Sequence, residues 1–143
     1  MVVRPVTEEQ FDSCRRLIAW GAGVGASADQ QFIIWLKDDA PKIVVCFNGF
    51  VGKICQMHVA MSPGYKFTPR KMLRAAFDYA FIERKLEKVI AIVNTNNAEA
   101  MRYDLHIGFE EILRWCGMHE DGGDMAILEM SKASCKWITL EGE

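Results

Sequence analysis

The chain has 143 residues, of which 50% are apolar and 25% are charged, and its formal net charge at pH 7 is −2. These values lie close to the averages of globular proteins, so they argue against long disorder, a collagen-like repeat or a coiled coil. No apolar run approaches the ~20 residues of a bilayer span, and the chain lacks the basic excess typical of nucleic-acid-binding proteins. We therefore expect one soluble domain over residues 1–143, with neither a membrane nor a nucleic acid as partner.

The five cysteines, at positions 14, 46, 55, 116 and 135, are odd in number and form no C-x-x-C motif. This pattern argues against a disulfide framework and favours a reducing compartment. Residues 1–6 contain neither the long apolar core nor the cleavage site of a signal peptide. We therefore expect a cytoplasmic protein.

A short strand is predicted over residues 2–6, followed by a helix with Thr7 as its N-cap. Apolar residues then recur at helical spacing as far as the segment 21–25, where three glycines predict the end of the helix. A further helical turn is predicted over residues 27–31.

Three strands are predicted next. Residues 32–36 and 42–47 are rich in β-branched and aromatic side chains, and the five residues between them, which include Asp and Pro, predict a hairpin connection. Asn48-Gly49 predicts a second turn, because both residues tolerate a positive φ. The third of these strands covers residues 53–61.

The most regular predicted helix begins at Thr68 and Pro69, with Thr68 as N-cap and Pro69 as the first helical residue. Its apolar residues repeat with helical spacing and are Met72, Leu73, Ala76, Phe77, Ala80 and Phe81. The uninterrupted apolar strand 89–93 follows, and we expect neighbouring elements to cover both of its faces.

Another helix is predicted over residues 98–107, with Asn96 or Asn97 as N-cap and Gly108 as left-handed C-cap. The last predicted elements are two strands, residues 109–115 and 125–130. This order of strands and helices predicts an α/β domain with a mixed sheet.

The sequence Asn97-Ala98-Glu99-Ala100, with Gly108-Phe109 after it, resembles a motif of the GNAT superfamily of acyl-CoA-dependent N-acyltransferases. The resemblance covers nearly the whole chain in element order and residues 94–109 in motif. Three further segments make the chain most similar to the GNAT-like proteins of tailed bacteriophages: Asn48-Gly49, Met57-His58-Val59-Ala60 and Phe67-Thr68-Pro69-Arg70. The resemblance implies a single-domain α/β fold with a mixed, mostly antiparallel sheet, helices on both faces, and a splayed fourth and fifth strand.

The resemblance also implies acetyl-CoA as co-substrate. Its pantetheine arm would lie between the splayed strands and bond to the backbone of the fourth strand at Val59, Ala60 and Met61. The remaining cofactor contacts would come from the loop and helix start before residue 72 and from two asparagines: Tyr65, Lys66, Phe67, Thr68, Arg70, Lys71, Asn94 and Asn97.

The loop expected to bind the pyrophosphate departs from the superfamily pattern R/Q-x-x-G-x-G/A. The matching stretch is Gly64-Tyr65-Lys66-Phe67-Thr68-Pro69, which lacks the Arg or Gln and the later small residues. Phe67 does not allow the close backbone approach that a glycine gives. The positive end of the helix dipole and the cations of Lys66, Arg70 and Lys71 still attract an anion. We expect a pyrophosphate site with a weaker or differently shaped grip.

Asp104 is the candidate general acid. Counting back from Gly108, it stands where the superfamily often has a Tyr that protonates the leaving thiolate. Tyr103 is one residue earlier, about 100° around the helix, and is not an obvious substitute. Asp104 could donate a proton only if burial raised its pKa well above the usual ~3.9; otherwise it is a solvated carboxylate on the helix surface.

His58 is the candidate general base, since it is the only imidazole on the fourth strand and its neutral form suits proton abstraction near pH 7. Strict alternation turns it to the face opposite Val59, unless a β-bulge re-aims it, and a hydrogen-bonded structural role is the alternative. By resemblance, the loop of His119, Glu120 and Asp121 borders the acceptor pocket; a solvated turn is the alternative.

Two Cys-x-x-His pairs have a spacing that suggests zinc ligands: Cys55 with His58, and Cys116 with His119. Residues three apart in a strand point to opposite faces, which is incompatible with a tetrahedral site. We therefore predict that the protein holds no metal.

The leading interpretation is an acetyl-CoA-dependent N-acetyltransferase that moves an acetyl group to a primary amine by direct attack in a ternary complex. A polypeptide amine and a small polyamine-like acceptor are equally allowed. The alternative is a GNAT-like protein that has lost catalysis and serves as a binding or virion-associated structural module. The altered loop and the missing Tyr support that alternative, and the sequence leaves a homodimer open.

Overall fold

A computed structural model describes residues 1–66 and 68–139, which form one seven-stranded sheet with three α-helices packed on it. The strands are β1 (Val2–Val3), β2 (Gln31–Lys37), β3 (Ala40–Val51), β4 (Ile54–Met61), β5 (Lys88–Asn94), β6 (Glu110–Trp115) and β7 (Met125–Ser131). The helices are α1 (Glu8–Ala22), α2 (Arg70–Asp78), which a π-helical turn (Tyr79–Glu83) extends, and α3 (Ala98–Ile107).

The strands lie in the order β1-β2-β3-β4-β5-β7-β6, and every neighbouring pair is antiparallel except β4 and β5. Helix α1 packs on one face, where Cys14 and Ile18 form a buried cluster with Ala60 and other strand residues. Helices α2 and α3 lie on the opposite face and contribute Phe77 and Ile107 to the larger core. The expected mixed, mostly antiparallel sheet with helices on both faces is confirmed.

Strands β4 and β5 are hydrogen-bonded over only part of their length. Their parallel register joins Ile54–Gln56 to Lys88–Ile90 and then stops, although β4 continues to Met61 and β5 to Asn94. On their outer sides, β4 stays paired with β3 and β5 with β7 to those last residues. The two strands therefore splay apart in their C-terminal halves, as expected.

Helix α1 begins and ends as the sequence predicts. The Thr7 hydroxyl accepts a hydrogen bond from the Gln10 backbone N–H at 3.1 Å, and the Gln10 side chain accepts one from the Thr7 N–H at 3.3 Å. Gly23 ends the helix at φ 68°. The helical turn predicted over residues 27–31 is wrong, because this segment is a non-helical connection that leads into β2 at Gln31.

The connections of the first hairpins differ from the prediction. Strands β2 and β3 are joined by a two-residue turn, with Asp38 at φ 54° and Asp39 at φ 58°, instead of a five-residue loop. The turn predicted at Asn48-Gly49 is also wrong, since β3 runs on to Val51 with an irregular register. The carboxylate of Asp29 accepts a hydrogen bond from the Gly49 N–H at 2.7 Å and supports this irregularity.

The beginning of α2 and the cover of β5 differ from the prediction as well. Pro69 occupies the N-cap position, and the Thr68 hydroxyl is hydrogen-bonded to the Tyr103 hydroxyl, so Thr68 is not the N-cap. On β5, one face is buried and the other is not, since Ile92 is 40% exposed. The expectation that both faces of this strand are covered is therefore wrong.

Helix α3 has the predicted caps. The Asn97 side-chain oxygen accepts a hydrogen bond from the Ala100 N–H at 3.1 Å, and Gly108 ends the helix at φ 118°. Both caps depend on neighbouring residues alone, which is why the sequence predicts them well. Within residues 1–66 and 68–139, no helix is long and apolar enough to cross a bilayer.

Candidate active site

A cleft of about 1230 Å³ opens where β4 and β5 diverge. Its walls come from these two strands, from α3 and from the segment that leads into α2. Ten of the predicted site residues line it: His58, Val59, Met61, Tyr65, Lys66, Thr68, Arg70, Asn94, Asn97 and Asp104. Ala60 and Lys71 do not, and Phe67 lies outside the described residues.

Alternation along β4 gives the cleft two sides. Val59 and Met61 pack on the core under α2 and α3, whereas Ala60 is buried against α1. The β3–β4 register is continuous from Ile43–Met61 to Asn48–Gln56, so no bulge changes this pattern around His58. His58 therefore lies on the α1 side of the sheet, as strict alternation predicts, while α3 and the start of α2 border the other side.

The inner edge of β4 is the first chemical feature of the cleft. Beyond Gln56, no strand of the described residues pairs with this edge. Its backbone N–H and C=O groups are therefore free to bond to an extended ligand between the strands, much as an added strand would. A cleft of this size exceeds the roughly 300–1,000 Å³ of most small-molecule pockets, so it can admit a long ligand.

Positive charge gathers at the end of the cleft where α2 begins. Lys66 and Arg70 line the cleft there, and the Arg70 guanidinium lies 5.6 Å from the centre of the Trp137 ring. No acidic residue stands in the first turn of α2, so the positive end of the helix dipole is not neutralised locally. This end of the cleft is suited to an anionic group such as a phosphate.

Asp104 lies in the cleft wall, and burial raises the pKa of its carboxyl group to about 7. Loss of solvation disfavours the charged carboxylate, so a large fraction of Asp104 is protonated at neutral pH. The condition that the sequence set for Asp104 as a proton donor is thus met. Its role in catalysis stays a prediction.

Tyr103 is a site residue that the sequence did not select. Its hydroxyl is hydrogen-bonded to that of Thr68, and burial raises the pKa of Tyr103 to about 12. Both Tyr103 and Asp104 line the cleft because the cleft extends around much of α3, from Glu99 to Ile107. An offset of 100° around the helix therefore does not remove a side chain from this site.

His58 is held by its neighbour strand. Its Nε2 lies 2.9 Å from the Asn48 side-chain oxygen. Since that oxygen accepts, Nε2 carries the hydrogen and Nδ1 keeps the lone pair. Burial lowers the pKa of His58, so the imidazole is neutral at pH 7. A neutral imidazole with a basic Nδ1 can accept a proton.

The β6–β7 connection closes one end of the cleft. Asn94 donates to the Asp121 carboxylate at 3.0 Å, and the Gly123 N–H donates to it at 2.9 Å. These bonds lower the pKa of Asp121, and the bond from the Gly123 N–H has the larger effect. His119 lines the cleft, and its buried Nε2 has no hydrogen-bond partner among residues 1–66 and 68–139. Glu120 is exposed.

A comparison with protein-family models finds no match, and neither does a comparison with curated proteins. Solved structures do match. A Desulfovibrio desulfuricans protein assigned to the GNAT family of acetyltransferases is 15% identical, with a TM-score of 0.72 over 92% of this chain and 98% of that one.

Two further structures are similar. Spermidine N-acetyltransferase from Vibrio cholerae, in complex with CoA and spermine, is 12% identical, with a TM-score of 0.72 over 93% of this chain and 96% of that one. A chain of the NatC complex bound to Gag peptide and CoA is 15% identical, with a TM-score of 0.66 over 91% of this chain and 98% of that one. The chain thus has the fold of the GNAT acetyltransferases.

Proposed function

We propose that this protein is an acetyl-CoA-dependent N-acetyltransferase, which transfers acetyl to a primary amine by direct attack in a ternary complex. The observation that carries the proposal is the splay of β4 from β5, which leaves the inner edge of β4 beyond Gln56 without a partner strand among the described residues, beside a cleft of about 1230 Å³. The same fold occurs in a spermidine N-acetyltransferase in complex with CoA and spermine, and in a chain of the NatC complex bound to Gag peptide and CoA.

In this proposal, the pantetheine arm lies in the splay and hydrogen-bonds to the backbone of Val59 and Met61, whose N–H and C=O groups face β5. Those of Ala60 face β3, because Ala60 pairs with Val44 in the same register that directs the Ser62 N–H to Lys42. A backbone N–H of this edge polarises the thioester carbonyl. The pyrophosphate lies near Lys66 and Arg70, whose cations line that end of the cleft. The remaining predicted contacts that line the cleft are Tyr65, Thr68, Asn94 and Asn97.

The acceptor approaches from the α1 side, where His58 lies. Its neutral amine nitrogen attacks the thioester carbonyl carbon and forms the new C–N bond as the C–S bond breaks. Nδ1 of His58 accepts the proton that the amine loses. The lowered pKa of His58 supports this role, because the ring is then unprotonated at neutral pH before the reaction.

Asp104 supplies the other proton. The protonated carboxyl group donates to the CoA thiolate as it leaves, and the carboxylate then regains a proton from solvent while His58 releases its own. The raised pKa of Asp104, about 7, supports this role. The Tyr103 hydroxyl, fixed by Thr68, borders the same part of the cleft and helps to shape it.

Calorimetric titration with acetyl-CoA is the first test, followed by thiol release with a panel of amines. We expect binding and amine-dependent release of CoA. Absence of binding at millimolar acetyl-CoA would contradict the proposal. Binding without turnover for any amine would instead favour the catalytically inactive, binding or virion-associated module.

A further inference from the structure

One half of the sheet has an uncovered face. On the α1 side of the sheet, side chains of β5, β7 and β6 lie directly opposite one another and form two rows across the three strands. We call this surface the open face: Ile92, Ile127 and Leu113 form one row, and Asn94, Met125 and Trp115 form the next.

Nothing in the described part of the chain packs over the open face. Helix α1 contacts β3 and β4, and the segment 135–139 packs with the core on the opposite side. Ile92 is 40%, Leu113 45% and Trp115 50% exposed. Large apolar side chains in adjacent rows of one sheet face are typical of an interaction surface, whereas isolated ones are not.

The open face is continuous with the cleft. Ile92 and Asn94 belong to both, and they lie on the side from which His58 faces the cleft. His119, whose buried Nε2 has no hydrogen-bond partner in the described part of the chain, lines the cleft at the same end. A molecule that binds the open face therefore reaches the place where we propose that the amine reacts.

Charge on this side argues against a polycationic occupant. The Asp121 carboxylate near Asn94 is already bonded to Asn94 and Gly123. Glu110 and Glu129 lie on the same face. Glu129 is four residues from Met125 along β7, which places these two carboxylates about 13 Å from the row of Asn94, Met125 and Trp115. Glu129 is also paired with Lys88 at 3.2 Å.

We propose that the open face binds an extended apolar segment of a polypeptide, whose amino group enters the cleft beside His58. This inference rests on the proposed acetyltransferase function and narrows its acceptor from any amine to a polypeptide amine. The three strands span about 10 Å, and each row adds about 7 Å along them, so the face is larger than a small amine and matches three or four residues. A second copy of the chain on this face would cover the acceptor side of the cleft.

The first experiment uses the purified protein, acetyl-CoA and a random peptide library with free amino termini and one internal lysine, with products identified by mass spectrometry. We expect acetylated peptides to be enriched in apolar side chains within about four residues of the modified amine. No acetylated peptide, or no such enrichment, overturns the inference. Acetylation of spermidine but of no peptide would overturn it while the acetyltransferase function stands.

The second experiment uses the double variant Leu113→Ser, Trp115→Ser, whose side chains are exposed enough for folding to survive. The matched control is Val51→Ser, Ile82→Ser, two exposed apolar side chains away from the open face. We expect KM for the best library peptide to rise about tenfold in the first variant and to stay unchanged in the control.

Binding of acetyl-CoA, measured by calorimetry, separates the two proposals. The inference is supported if both variants bind acetyl-CoA with equal affinity and only the Leu113→Ser, Trp115→Ser variant has a raised KM for the peptide. An unchanged peptide KM in the Leu113→Ser, Trp115→Ser variant overturns it. If that variant also changes from dimer to monomer in sedimentation, the occupant of the open face is a second copy of the chain. Failure of the unmodified protein to bind acetyl-CoA contradicts the acetyltransferase proposal itself.

Discussion

Thr68 and Tyr103, 35 residues apart in the chain, join their hydroxyl groups across the cleft. The bond connects the start of α2 to α3, the two elements that border the core side of the splay. It also explains why Thr68 does not cap α2, since its hydroxyl is engaged elsewhere. The position of the tyrosine ring in the cleft therefore depends on a residue far away in sequence.

Replacing Thr68 by Val should lower the free energy of unfolding by about 1–3 kcal/mol, because it removes the hydrogen-bond partner of the half-buried Tyr103 hydroxyl. The double variant Thr68→Val, Tyr103→Phe should be closer to the unmodified protein, since both polar groups are then removed. Urea unfolding of the unmodified protein, the two single variants and the double variant gives the free energies of this double-mutant cycle. Additive losses in the double variant would mean that the two hydroxyl groups do not interact.

The raised pKa of Asp104 predicts a pH dependence of stability. The folded chain holds this proton up to about pH 7, whereas the unfolded chain loses it near pH 4. Because the folded state binds more protons in this window, the free energy of unfolding should fall as pH rises from about 4 to about 7. From pH 5 to pH 8, the free energy of unfolding of Asp104→Asn, measured in urea, should rise by about 2–3 kcal/mol relative to that of the unmodified protein.

The exposed Asp12 carboxylate, paired with Arg15, offers the control. Asp12→Asn should show little change in stability relative to the unmodified protein between the same two pH values. If Asp104→Asn behaved like Asp12→Asn, the carboxyl group of Asp104 would not be desolvated.

Asp104 and His58 should also affect turnover. Because protonated Asp104 is the proposed donor, kcat should decline as pH rises through about 7, and Asp104→Asn should remove that decline and lower kcat about 100-fold. His58→Gln should lower kcat by a similar factor without changing the affinity for acetyl-CoA. A pH profile of kcat that is identical in Asp104→Asn and the unmodified protein would exclude Asp104 as the acid.

Gly21 allows a close approach of α1 to β4. A Cβ at this position would lie 2.7 Å from the Ala60 Cβ, whereas a Cβ on Gly25 would meet nothing within 4 Å. Gly21→Ala should therefore lower the free energy of unfolding by about 1–3 kcal/mol through overpacking, and Gly25→Ala should change it little. Thermal unfolding of both variants checks this, and equal transition temperatures would be inconsistent with the packing described.

Local patterns predicted the ends of α1 and α3, because the caps at Thr7, Asn97 and Gly108 depend on neighbouring residues, but they did not predict the start of α2. The irregular stretch of β3 could not be predicted in this way. There, Gly49 adopts a φ of 62° within a strand because Asp29, 20 residues away, bonds to its N–H. The positive φ that Asn48-Gly49 allows therefore occurs inside a strand, where a tertiary contact stabilises it, and not in a hairpin turn.

The site was predictable only in part. Resemblance indicated the splay and the cleft-lining residues of β4 and the α2 start, but the angle around an ideal helix gave no reason to expect that Tyr103 lines the cleft as well. The sequence also did not predict the open face. The strand 89–93 is apolar throughout, and this pattern predicted that other elements cover both of its faces. Whether an apolar strand face is covered depends on where helices pack, which the strand's own residues do not encode.

Amide hydrogen exchange of residues 57–61 is the most direct test that the inner edge of β4 binds the thioester arm. On addition of acetyl-CoA, the amides of this segment that face β5 should exchange at least about tenfold more slowly, while residues 43–47 of β3, already paired on both sides, stay unchanged. Unaltered exchange over residues 57–61 at saturating acetyl-CoA would contradict the account.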